Sequence, residues 1–340
     1  MKIVIDKNVK DISKLKGYEV IYLFEDESID DLVKTNLHCI NYKYFKDVVD
    51  INLTDYEVEC LKKAKITDKD WNILPPKKEN KFAIIIPNYN YSECLEKCFN
   101  SILNQTYKNY EIIFVDDMSE DDSLKVAKGL LKPPHKIIPL KQKRYNGGAR
   151  NEAYLHISND VDYVWYVDSD DWLTDDKVLE DINDQLQRNQ DVLFIAIDEY
   201  KNGMETTAFV PNYNDKYDAI KGWSGSCGKI IKKELATSQK CLYNEGTLKE
   251  DRNQHCKVCI YMNSFSNYKR PVYVWNRENS KSITTKRDDI FWKTSTIRHY
   301  ADTLQLYLSV KGQDDKIDSY LLERVNRTKK EIEVNGDRQW

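Results

Sequence analysis

From residue 82 onward the chain alternates unbroken apolar runs with apolar stripes at helical spacing, and this alternation restricts the fold more than any other feature. Residues 82–86 (FAIII) and 112–115 (IIFV) have the length and apolarity of strands covered on both faces. Between them Leu95, Cys98, Phe99, Ile102 and Leu103 recur at helical period, and Asn90 and Glu93 stand at capping-box spacing ahead of the stripe. Pro87 is expected to stop the first strand. The same pattern predicts helices over 122–131, after Asn146 and over 177–187, with strands over 136–140, 163–167 and 192–197. Alternating strands and helices imply an α/β fold with a doubly wound, mostly parallel sheet.

Residues 1–78 are less regular and end in a Pro-Pro-Lys-Lys linker, so they are read as an N-terminal accessory domain. The regular part divides into a nucleotide-binding half (79–200) and an acceptor half (201–285). Residues 286–340 are read as a helical C-terminal region, with Ile297, Tyr300, Ala301, Leu304, Tyr307 and Leu308 as its apolar stripe. Dimerisation or acceptor docking is the role expected of it.

Bulk properties narrow the function classes. A net charge of −4 over 340 residues, with both signs interspersed, provides no general pull toward nucleic acid. No apolar run approaches the eighteen residues of a membrane span. Eight cysteines without a secretory leader suggest reduced thiols and a cytoplasmic protein, peripheral at the inner membrane face if its acceptor is lipid-linked.

In a doubly wound sheet ligands bind beyond the carboxyl ends of the strands. Those ends read Pro87-Asn88-Tyr89-Asn90, Asp116-Asp117-Met118-Ser119 and Asp168-Ser169-Asp170-Asp171. Crowded carboxylates repel a nucleoside diphosphate by roughly 4 kcal/mol per charge pair at 4 Å and an effective dielectric of about 20. A divalent cation therefore belongs between them, and oxygen ligands on a loop suit Mn²⁺ or Mg²⁺. Asp170 is the expected ligand, with Asp168 reaching the ribose or a metal-bound water. The competing reading is that the acidic run only caps the next helix.

Taken together IIIPNYN, SILNQTYKNYE, FVDDMSEDDS, NGGARN and YVDSDDW resemble the large family 2 of inverting bacterial glycosyltransferases with the GT-A fold. The resemblance covers about residues 80–285. It implies a metal-dependent transfer from a UDP-sugar to a hydroxyl of a glycan, lipid-linked or protein acceptor; because the acceptor half has neither the transmembrane helices nor the Gln-x-x-Arg-Trp motif of processive members, a non-processive transfer is expected. It places Tyr89 on the base and Asp117 as its acceptor, with Pro87, Asp168 and Ser169 bordering the nucleotide; Asp116 could instead be a structural acid satisfying loop amides. Asp251 of the Glu250-Asp251 pair matches the catalytic base, while Thr247 and Glu250 also have capping-box spacing. Arg150, after a glycine turn that permits close backbone approach, is expected to donate to the base or a phosphate oxygen. His255 could hold the base, touch the metal or simply pack. Residues 275–285 resemble a mobile stretch that closes over the diphosphate, and Cys227 stands where the family has an aromatic.

Other readings are a zinc site at Cys256 and Cys259, a sugar-phosphate nucleotidyltransferase, and an inactive binding module on the same scaffold. The place of a nucleotidyltransferase's glycine-rich loop is held here by Pro87-Asn88-Tyr89-Asn90.

Overall fold

The computed structural model describes residues 2–5, 19–24, 38–41, 72–73, 78–247, 249–279 and 289–336. The chain divides into two compact units, residues 1–79 with 181–189 and residues 80–180 with 190–340. In the first unit β1 (Lys2–Ile5), β2 (Glu19–Phe24) and β3 (His38–Asn41) pair in parallel in the order β3-β2-β1, and β4 (Asn72–Ile73) joins β1 antiparallel.

The second unit is built on a mixed nine-stranded sheet. Its parallel part runs β7 (Lys136–Pro139), β6 (Tyr110–Asp116), β5 (Phe82–Asn88) and β8 (Tyr163–Tyr166). The sheet then continues through β12 (Lys229–Lys232), β10 (Val192–Lys201), β13 (Phe265–Asn276) and β9 (Trp172–Leu173), with β11 (Met204–Phe209) paired to β10. β12 is antiparallel to both neighbours, while β10 and β13 are parallel.

Every residue of β5 and β6 is buried, as their apolar runs require. Ala83, Ile85, Ile113 and Val115 pack with Ala149 and Ala153 of α3 (Tyr145–Tyr154). On α1 (Ser92–Leu103), Leu95, Cys98, Phe99 and Ile102 form the buried stripe, with Phe99 edge-on to Phe114 at 5.4 Å. α2 (Ser123–Leu130) follows β6, and α4 (Val178–Gln185) follows β9.

Two local expectations are corrected. Pro87 does not stop β5; it stays in the strand opposite Val115, and the ladder ends at Asn88. Asn90 does not cap α1, whose N-cap residue is Tyr91 with no side-chain cap bond. Instead Asn90 takes a left-handed conformation with φ of 61°, and its Oδ1 accepts from the Glu120 amide at 2.8 Å. Asparagine tolerates that conformation better than most residues, which lets one side chain join two rim loops.

In the acceptor half come α5 (Lys216–Lys221), α6 (Lys233–Ala236) and α7 (Glu250–Tyr261). Two long helices follow, α8 (Asp289–Val310) and α9 (Asp315–Gly336). The stripe expected of α8 is also corrected: Ile297, Ala301 and Leu308 are exposed. Its buried face is Ser295, Thr296, His299, Thr303, Leu306 and Val310. Polar groups can be buried there because they bond across helices: Thr303 Oγ1 donates to Asn253 Oδ1 at 3.1 Å, and Ser295 meets Thr247. Among the described residues no helix is long and apolar enough to cross a membrane.

Candidate active site

Parallel pairing brings the carboxyl ends of β6, β5 and β8 to one rim. The register sets Asn88 opposite Asp116 and Ile85 opposite Tyr166, so Asp168 arrives level with Pro87. Asn90, Met118 and Tyr145, at or beside this rim, all have positive φ. Non-glycine residues hold that conformation only where the surroundings fix it, and such strain gathers at functional sites.

The two acids after β6 are both held by loop groups. Asp116 accepts from Asn88 Nδ2 at 3.0 Å and from the Ser119 amide at 3.0 Å. Asp117 accepts from the amides of Arg144 at 2.7 Å and Tyr145 at 2.8 Å, and Lys143 Nζ lies 3.4 Å from it. Asp117 thus anchors the start of α3 to the rim. Tyr89 is partly exposed, with the Lys143 ammonium over its ring.

On the third strand end the three acids differ in surroundings. Asp171 is buried and satisfied, accepting from the Asn276 amide at 2.8 Å and from the Tyr273 hydroxyl. Asp170 accepts from Asn279 Nδ2 at 2.8 Å; burial and then the charge of Asp168 push its carboxyl up to about 6. Burial also raises Asp168, against the pull of Arg150. Ser169 is buried between them. Tyr91 stands close enough that burial, Asp170 and Asp168 together raise its phenol above the ordinary range. Asp168 and Asp170 are therefore an acidic pair with too little positive charge around it, which fits a divalent cation bound by one or two carboxylates and by substrate phosphates. Among the described residues no three His, Cys, Asp or Glu side chains form a ready-made metal cage. A Mn²⁺ or Mg²⁺ site completed by phosphates does not require one.

The centre of the site is Arg150, 1% exposed. One amino group donates to Asp168 Oδ1 at 2.8 Å; the other donates to Asp251 Oδ1 at 3.0 Å and Glu250 Oε1 at 3.2 Å. A donor expected for a base or phosphate is in this structure committed to three carboxylates. One guanidinium cannot neutralise three of them. Glu250, the most buried, is pushed up to about 8 by burial and then by Asp251, so it keeps its proton near neutrality. Asp251 is partly exposed and accepts from Ser226 Oγ, which in turn accepts from Tyr243 OH at 2.6 Å. Fully buried Lys229 donates to the carbonyls of Gly225 at 2.9 Å and Ser224 at 3.3 Å below this segment; burial lowers it to about 8.

The glycines before Arg150 act differently from the expected turn. Residues 146–148 lie inside α3, and a Cβ at Gly147 would stand 2.5 Å from the Asn244 carbonyl oxygen. The close approach is thus between α3 and Tyr243, Asn244 and Glu250. It is locked by Asn151, which donates to the Tyr243 carbonyl at 3.0 Å and accepts from its amide at 2.9 Å. Arg144 adds a bidentate pair to Glu245.

Three further expectations resolve here. Glu250 is not part of a capping box: Thr247 Oγ1 accepts from the Lys249 amide at 3.3 Å, and Glu250 turns to Arg150. His255 packs, with Nε2 at 2.8 Å from the Ala219 carbonyl and its ring edge-on to Phe194. Cys256 and Cys259 are buried free thiols. Residues 280–285 of the expected closing stretch lie outside the described residues. Ser226, Tyr243, Tyr273 and Asn279 were not foreseen, because no local pattern marks side chains that meet across 17 to 109 residues.

Residues 83–273 match the family described as Glycosyl transferase family 2. A structural likeness extends over 72% of this chain and 72% of Staphylococcus aureus TarS 1-349, crystallised with UDP-GlcNAc, at a TM-score of 0.56 and 19% identity. The chain has the GT-A fold of these transferases. It belongs to glycosyl transferase family 2. Among its relatives, Glycosyltransferase GlyA of Streptococcus pneumoniae is 40% identical over 29% of this chain and 14% of its own length. The poly(ribitol-phosphate) beta-glucosyltransferase of Bacillus spizizenii is 32% identical over 33% of this chain and 18% of its own. The poly(ribitol-phosphate) beta-N-acetylglucosaminyltransferase TarP of Staphylococcus aureus is 34% identical over 34% and 36%. The chain thus spans between 14% and 36% of these three relatives.

Proposed function

We propose that this glycosyltransferase moves a sugar from a UDP-sugar to a hydroxyl of a glycan, lipid-linked or protein acceptor, with inversion and one addition at a time. The observation that carries the reading is Arg150, which ties Asp168 on the donor side to Asp251 on the acceptor side. A donor acid and an acceptor base held by one rigid fork are what a direct displacement needs.

Asp170, with Asp168 beside it, would hold Mn²⁺ or Mg²⁺, which when bound offsets the charge of the diphosphate. Tyr89 offers its ring to the base once Lys143 shifts from it, and Pro87, Asp117 and Ser169 border the nucleotide. Asp251 accepts the proton of the acceptor hydroxyl. That oxygen then bonds to the anomeric carbon as the bond to the diphosphate breaks, and the nucleoside diphosphate leaves with the electron pair. Arg150 touches neither sugar nor phosphate in this scheme; it positions the two acids. Residues 1–78 act as an accessory domain that helps select the acceptor, residues 286–340 serve docking or dimerisation, and the reaction takes place on the cytoplasmic side.

The test is release of nucleoside diphosphate from a panel of UDP-, GDP- and dTDP-sugars with Mn²⁺ or with EDTA. Metal-dependent release of UDP that disappears in Asp170→Ala is expected. Equal release in EDTA, or preference for a GDP- or dTDP-sugar, would overturn the metal or the donor assignment.

A further inference from the structure

Away from the acidic rim, four cationic side chains from three separate helices converge on a second cavity. Lys221 at the end of α5, Arg252 in the first turn of α7, and Arg324 and Arg327 on α9 line a space of about 210 Å³, together with Tyr320 and Glu323. The charges are poorly compensated. Lys221 reaches Asp218 only at 3.7 Å, and Arg327 reaches Glu331 only at 3.8 Å. Glu323 is the single carboxylate in the lining. Arg252 donates to the Gly222 carbonyl at 3.1 Å. Among the described residues neither Arg252 nor Arg324 has a carboxylate within 4.0 Å, and the buried Nε of Arg324 has no acceptor. Burial lowers the imidazoles of His255 and His299, and after a neighbouring lysine in each case Arg252 and Arg324 add to the lowering.

We infer that this cavity is an anion site for a phosphate group of the acceptor, so that the acceptor is a phosphodiester-bearing chain; the second half of the inference rests on the transferase reading above. Donors that approach from three helices suit a tetrahedral anion, whereas a planar carboxylate is satisfied by one fork. The cavity is large enough for a phosphate with some of its water. Its place relates it to the acceptor half: Arg252 follows Asp251 on α7, with its side chain turned about 100° around the helix from that of Asp251 and donating to the Gly222 carbonyl. A phosphate seated there would hold one unit of such a chain beside α7, and a hydroxyl further along the chain would reach the base.

The test has two independent arms on the full chain. In the first, inorganic phosphate is titrated calorimetrically into the nucleotide-free protein, the Arg324→Gln/Arg327→Gln variant and a Lys311→Gln control. Saturable binding is expected in the wild type and the control, weakened about tenfold or more in the double variant, as loss of charge-assisted bonds implies. No saturable binding, or equal binding in all three, overturns the site. In the second, a soluble polyol-phosphate oligomer and the same polyol without phosphate are compared as acceptors. The double variant should raise KM for the phosphorylated acceptor about tenfold, leaving kcat and acceptor-independent donor hydrolysis unchanged. An unchanged KM, or tighter binding of the variant-sensitive site to anionic phospholipid vesicles than to the oligomer, overturns the acceptor assignment. If the wild type cleaves no donor at all, the transferase reading fails while the first arm still decides the site.

Discussion

Arg150 Nη1 lies 3.0 Å from Asp251 Oδ1, although 101 residues separate them, and the other amino group of the same guanidinium holds Asp168 at 2.8 Å. The contact joins the two halves of the catalytic unit through one buried cation, and its removal should be felt in stability and in turnover alike. Arg150→Met leaves Asp168 and Asp251 without a counter-charge and Glu250 without its donor, and should cost about 3–5 kcal/mol, the usual result of breaking a buried ion network from one side. Arg150→Lys keeps the charge but not the fork; it should recover part of the stability in urea denaturation and little of the transfer rate.

Gly147 gives a steric prediction with a built-in control. Gly147→Ala puts a methyl group 2.5 Å from the Asn244 carbonyl oxygen, so Tyr243, Asn244 and Glu250 must shift. A loss of about 1–3 kcal/mol is expected, as for overpacking elsewhere, together with reduced turnover because Asp251 moves with Glu250. Gly129, in α2, has nothing within 4 Å of a Cβ. Gly129→Ala should stabilise by up to about 1 kcal/mol through helix propensity, with activity unchanged.

Tyr89 should contribute to donor binding through its ring alone. Tyr89→Ala removes a stacking surface usually worth about 1–3 kcal/mol per base, so KM for the donor should rise roughly tenfold while kcat changes little. Tyr89→Phe should behave as the wild type in the same titration.

His299 makes the C-terminal helices sensitive to acid. Burial, with Lys249, Arg324 and Arg252 nearby, lowers its imidazole from 6.5 to about 3. Between those values the unfolded chain binds a proton that the folded chain does not, so stability present above pH 6.5 is lost as the pH falls toward 3. The slope is about 1.4 kcal/mol per pH unit for one such group. His299→Leu should flatten this part of the pH–stability curve measured by chemical denaturation. An unchanged slope would mean that His299 takes up its proton in the folded chain as it does in the unfolded one.

Legibility in the sequence followed the range of the interactions. The strands at 82–88 and 110–116 were readable because a strand covered on both faces needs an unbroken apolar run, and the acids at their ends could be placed once the strands were parallel. The Arg150 cluster was not readable, because nothing near residue 150 encodes a contact with residues 250 and 251; the neighbouring glycines suggested a ligand loop where they in fact admit another backbone. Asn90 and Thr247 had capping spacing but found other partners, Glu120 and Ser295, which only the folded chain supplies. The face of α8 was misread because apolar periodicity assumes that the buried side is apolar. Here the Thr303 hydroxyl donates to Asn253 Oδ1 inside.

The central claim is that Asp251 removes the acceptor proton and takes no part in donor binding. The direct measurement is donor affinity by calorimetry and transfer rate to a competent acceptor, for the wild type and Asp251→Asn. Unchanged affinity for the UDP-sugar, with transfer reduced at least about a hundredfold, is the predicted result, in line with the usual worth of a positioned general base. Transfer in Asp251→Asn within a few-fold of the wild type would contradict it, and the base would then have to be sought elsewhere on the rim.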